Sequence, residues 1–160
     1  MARSFPQAEK HRFAIVVDGE RALMARFLGL LDQEEALLIA GDTDALLPLA
    51  KEKSEVYQLL QRHYDSRALL LGRLGLTNSG DAIRELCADM PDTLVRWNEV
   101  LELAAQAKTR NELNGKLIVE RMHDNQAALS VLLTAADQPQ LYDAEGSARP
   151  TGGGRMLGSA

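Results

Sequence analysis

Apolar residues recur at alternating steps of three and four over most of the chain, the spacing of one face of an α-helix. Val16, Leu23, Phe27, Leu30 and Leu37 form one stripe, and Val17, Met24, Leu28, Leu31 and Leu38 the next, which predicts a first helix with a wide buried face over Asp18 to Ala40. Gly41 supplies a residue that tolerates the left-handed conformation closing a helix, and Asp42, Thr43 and Asp44 offer oxygens to cap the next one. A turn this short makes the two helices antiparallel neighbours. The second helix is expected from about Thr43 to about Leu74, on a seam of Leu46, Leu49, Val56, Leu60, Leu70 and Leu74. Lys53, His63 and Arg67 interrupt that seam, and the adjacent stripe of Tyr57, Tyr64, Ala68 and Leu71 lets the buried face shift sideways past them. Pro48 sits near the first turn, where few intrahelical donors are needed.

The stretch GLTNSG, Gly75 to Gly80, ends the second helix, and Asp81 to Met90 fits a short third one. Pro91 then suits the opening of a last helix reaching about Ala136, roughly 65 to 70 Å long at ~1.5 Å per residue. Its seam reads Leu94, Trp97, Leu101, Ala104, Lys108, Asn111, Gly115, Ile118, Met122, Asn125, Leu129, Leu132, apolar at both ends and polar in the middle. Such a polar interval serves either as a register device or as a place where the packing partner is absent. The expected fold is all-α: an elongated antiparallel helical bundle with coiled-coil-like seams, built from three long helices and one short one. Residues 1–17 stay unassigned, 18–136 form the bundle domain, and 137–160, rich in Gly and poor in core formers, form a flexible tail.

Composition narrows the function. Of 160 residues, 46% are hydrophobic, and only seven are aromatic (one Trp, three Tyr, three Phe), which suits aliphatic helix seams better than a β-sandwich. Eighteen basic against twenty-three acidic residues leave a net charge of −5, which repels a nucleic-acid backbone. The apolar runs are far short of a membrane span, and the single Cys87 forms no internal disulfide, so the chain reads as cytoplasmic and not membrane-inserted.

Candidate chemistry is sparse. His11, His63 and His123 lie in different segments, none paired with another at a metal-ligand spacing. Cys87 has no CxxC partner and no feature to activate its thiol, which makes it a small apolar residue. Glu34, Glu35, Asp42 and Asp44 around the first turn are accounted for as caps and a solvated helix face. Gly152 to Gly154 lack the Lys-Ser/Thr ending of a phosphate loop. Trp97 reads as a core side chain, whereas Asn111, Asn114 and Asn125 cost burial energy unless they find partners, in the chain or in a bound one. No cofactor, metal or catalytic constellation is indicated, and a protein-binding role is expected.

Three blocks together, AGDTDALLPLAKEKS at the first turn, NELNGKLIVERMHDNQAAL on the last helix and LYDAEG at the root of the tail, resemble the FlgN family of flagellar export chaperones. The resemblance runs from about Asp18 to about Gly146. It implies a cytoplasmic chaperone that binds the hook-filament junction proteins FlgK and FlgL before their export by the flagellar type III apparatus, without enzymatic activity. It further implies substrate contact on the C-terminal helical stretch, at Ile118, Met122, Asn125, Leu129, Leu132 and Leu133. Tyr142, the lone aromatic residue of the tail, becomes a candidate for docking to the export gate protein FlhA, the alternative being that Leu141 and Tyr142 fold back to cover the end of the bundle. The competing reading is a constitutive helical-bundle or coiled-coil structural or adaptor protein with every seam residue buried internally.

Overall fold

The computed structural model describes residues 3–122, 133–134 and 141–142. Over these the chain forms α1 (Gln7–Ala40), α2 (Thr43–Arg73), α3 (Gly80–Leu86) and α4 (Pro91–Met122). Among the described residues there is no β-strand. Consecutive long helices alternate in direction, and α1 is the hub, packing along both α2 and α4. Ion pairs Asp18–Arg96 near one end and Asp32–Arg110 further along show that α4 runs parallel to α1.

The boundaries follow local chemistry. Gly41 takes φ 73°, a conformation in which a side chain would be strained, and its amide and that of Asp42 donate back to the Leu38 and Leu37 carbonyls to close α1. Asp42 then caps α2 by accepting from the Ala45 amide at 3.2 Å. Ser79 caps α3 in the same way, at 3.3 Å from the Ala82 amide. Pro48 stays inside α2, one turn from its start and exposed.

Two findings depart from the periodicity. First, α1 begins at Gln7, well before Asp18, with Phe5, Phe13 and Val17 all buried in the main core. The early turns were hidden because Lys10 occupies a seam position; its stem is buried and its ammonium emerges to meet Asp89 at 2.6 Å. That hydrogen bond, opposed in part by desolvation, holds the Asp89 carboxyl below its ordinary value. Second, the buried seam of α4 runs Thr93, Trp97, Val100, Ala107, Asn114, Ile118, while Lys108 faces solvent. Small Ala107 takes the buried position, and the charged neighbour is left outside.

The core is a continuous cluster along the bundle, closed at one end by Ile83, Leu86 and Cys87 of the α3 region. Burial, with the Asp89 charge nearby, pushes the Cys87 thiol up to about 11, so it stays protonated. A smaller cluster of Leu38, Leu46, Ala50 and Ile118 sits at the other end, beside the α1–α2 turn. Trp97, 1% exposed, is a core side chain as its seam position predicts.

Candidate functional site

Glu20 and Glu34 lie two heptads apart on α1, Arg67 and Lys53 two heptads apart on α2, and Trp97 and Asn111 two heptads apart on α4. Because a heptad returns a residue to the same face of a packed helix, antiparallel α2 and parallel α4 bring these six residues together as two layers. Glu20, Arg67 and Trp97 form the outer layer; Glu34, Lys53 and Asn111 form the inner one. Between them lies a layer of Phe27, Leu60 and Ala104, all apolar and packed in the core.

The inner layer is completed by the bundle itself. The Lys53 ammonium donates to both Glu34 oxygens, at 3.0 and 3.2 Å, and to Asn111 Oδ1 at 3.3 Å. The Asn114 amide donates to Glu34 Oε1 at 3.0 Å and to the Leu31 carbonyl at 2.9 Å. Lys53 and Glu34 are both essentially inaccessible to water. Glu34 is therefore not part of a solvated helix face as its neighbourhood in sequence suggests, and Lys53 does not displace the seam of α2 sideways but stays within it. Asn111 Oδ1 and the Asn114 amide N–H find their partners inside the chain, while Asn114 Oδ1 finds none among the described residues, and the pairing fixes the register of three helices, because any axial slip would strand a buried charge.

The outer layer is built differently. Arg67 Nε donates to Glu20 Oε1 at 2.8 Å, and Nη1 donates to Asn78 Oδ1, in the α2–α3 connection, at 2.6 Å. The guanidinium carbon lies 4.6 Å from the Trp97 ring centroid, 5.3 Å from that of Tyr64 and 5.7 Å from that of Tyr142. A delocalised guanidinium is suited to this aromatic box, whereas the compact ammonium of Lys53 suits the amide-lined inner layer. The second Glu20 oxygen accepts from the Tyr142 hydroxyl at 2.5 Å. Burial first, and the Glu20 charge second, push the Tyr142 hydroxyl well above the ordinary tyrosine value.

The residues expected to bind substrate fall at the opposite end. Ile118 is fully buried in the small cluster, and Met122 and Leu133 are half-buried against it. Asn125, Leu129 and Leu132 lie outside the described residues. Around this end Ile39, Leu47 and Val119 are exposed, at 60%, 46% and 49%. Tyr142 is half-buried at the other end, with Leu141 beside it buried in the main core. Sequence reasoning missed Glu20 altogether. The signal available was its fourteen-residue spacing from Glu34, matched by the same spacing between Lys53 and Arg67.

Among the described residues, no group of three His, Cys, Asp or Glu side chains is placed to hold a metal ion, and no helix is long and apolar enough to cross a membrane. The FlgN protein family matches the chain over residues 11–150. No curated protein matches significantly. Among solved structures, the chain is similar to a flagella synthesis protein FlgN from Pseudomonas aeruginosa, at 24% identity and a TM-score of 0.61, over 76% of this chain and 92% of that one. At that identity the likeness speaks for the fold.

Proposed function

Because the chain belongs to the FlgN family, a family of flagellar export chaperones and not of enzymes, we propose that it acts in the cytoplasm, binds the hook-filament junction proteins FlgK and FlgL, and delivers them to the flagellar type III export apparatus. The observation that carries this reading is the family match over nearly the whole bundle and the root of the tail. Apolar side chains are exposed at both ends of the bundle, Ile15, Leu69 and Val95 at one and Ile39, Leu47 and Val119 at the other. Ile39, Leu47 and Val119 leave an exposed apolar rim around the Ile118 end, and an amphipathic helical terminus of a secreted subunit needs such a surface to cover its own apolar face.

Substrate contact then falls on the stretch carrying Ile118, Met122, Asn125, Leu129, Leu132 and Leu133. Ile118 anchors that stretch to α1 and α2, and of its described residues the half-buried Met122 and Leu133 are the ones within reach of a partner. Tyr142 serves as the docking residue for FlhA. Co-purification of the full chain with FlgK and with FlgL from the same genome tests the first part, and a stable one-to-one complex is the expected result. The double variant Leu129→Asp, Leu132→Asp is expected to lose that complex while retaining most of its helicity. A well-folded double variant that still pulls down both subunits places substrate contact elsewhere.

A further inference from the structure

Tyr142 lies twenty residues beyond Met122 at the end of α4, yet its hydroxyl meets Glu20, which is eighteen residues from Leu38 of the small end cluster, or roughly 27 Å along α1. The chain thus returns from the end where Leu133 packs to the outer charged layer. The contact has two components. Leu141 is buried in the main core at 4% exposure, and Tyr142 donates its hydroxyl to a carboxylate that is itself 0% exposed.

Glu20 requires that donor. Arg67 satisfies only one of its oxygens. In the equivalent layer Asn114 gives Glu34 an amide donor, but at the outer layer α4 presents the Trp97 ring to the cation and no amide to the carboxylate. A dry carboxylate oxygen without a donor is costly, and the Tyr142 hydroxyl supplies it from outside the three helices. Among the described residues, both Glu20 oxygens are therefore paired only when the root of the tail is seated.

We propose that Glu20, Arg67 and Trp97 form a receptor in the bundle for Tyr142, and that this seated state withholds Tyr142 from the export-gate partner until the tail is released. The withholding rests on the reading that Tyr142 docks at FlhA; the receptor does not. Only the unseated fraction binds the partner, so apparent affinity falls in proportion to that fraction. Release exposes one aromatic ring and one leucine and leaves the Arg67–Glu20 pair in place.

The two claims are separable in one set of full-length proteins. Spin labels at Arg62→Cys on exposed α2 and Ala144→Cys in the tail, in a Cys87→Ala background, report the distance between tail and bundle. The parent is expected to give one short, narrow distance. Leu141→Ser, which keeps Tyr142, Glu20 and Arg67 intact, is expected to give a broad distribution at longer distance. Identical distributions in the two proteins overturn the receptor. Titration with the cytoplasmic domain of FlhA then reads the withholding. Leu141→Ser should bind several-fold tighter, up to about tenfold if roughly a tenth of the parent is unseated, and Tyr142→Ala should lose binding. If Leu141→Ser releases the tail with no gain in affinity while Tyr142→Ala still loses it, withholding is wrong. If Tyr142→Ala binds as well as the parent, the docking reading itself fails, and the receptor stands on the distances alone.

Discussion

The inner and outer charged layers of this bundle share their chemistry on α1 and α2, a glutamate facing a long basic side chain with both groups buried, yet they are finished from different sources. Asn111 and Asn114 of α4 complete the inner layer, so it persists for as long as the three helices stay packed. Tyr142 completes the Glu20 pairing from a segment 122 residues from Glu20 in sequence, with Leu141 beside it buried in the main core. A buried ion pair contributes little net stability compared with apolar packing, but breaking one partner is expensive. The inner layer is thus a fixed register device. The outer layer, built from the same parts, depends on whether the tail is seated.

Replacing Leu60 with Asp should have the largest effect, because it puts an unpaired carboxylate into the apolar layer between two glutamates. A loss of about 4 kcal/mol or more is expected, a large share of the stability of a domain this size. Urea denaturation followed by circular dichroism measures it, and a loss below 1 kcal/mol would mean that the two charged layers are not separated by a dry core.

Next comes Lys53→Met, which leaves Glu34 charged and without its cation; a cost of about 3 kcal/mol is expected, and adding Glu34→Leu should recover much of it. If the double variant is no better than the single one, the inner layer is not held by charge pairing.

The smallest effect separates the two layers most directly. In a double-mutant cycle, Tyr142→Phe should couple to Glu20→Gln by about 1 kcal/mol and to Lys53→Met by nothing beyond error. The same contact has a pH signature. The folded Tyr142 hydroxyl ionises above its ordinary value of 10.0, so its contribution is complete below pH 10 and is lost as pH rises from there towards the raised value. Alkaline melts of the parent should show this loss on top of that from Cys87, and Tyr142→Phe should reduce it without abolishing it. An alkaline profile unchanged by Tyr142→Phe would mean that the hydroxyl is not engaged.

The sequence by itself determined the all-helical class, the two-residue turn at Gly41 and Asp42, the start of α4 at Pro91 and the burial of Trp97. Each of these rests on local spacing or local backbone chemistry, which a one-dimensional pattern records. Charges in a seam defeat that kind of reading. Lys53 and Arg67 look like interruptions, and Glu34 looks like surface, because nothing nearby in the chain shows that a partner exists. The partners are 47 residues away for Arg67 and Glu20, and 19 for Lys53 and Glu34. Periodicity says which face of a helix turns inward, but not which residue of another helix arrives at the same height. Only the packing of α2 and α4 on α1 decided that height, and with it the return of Tyr142 to Glu20.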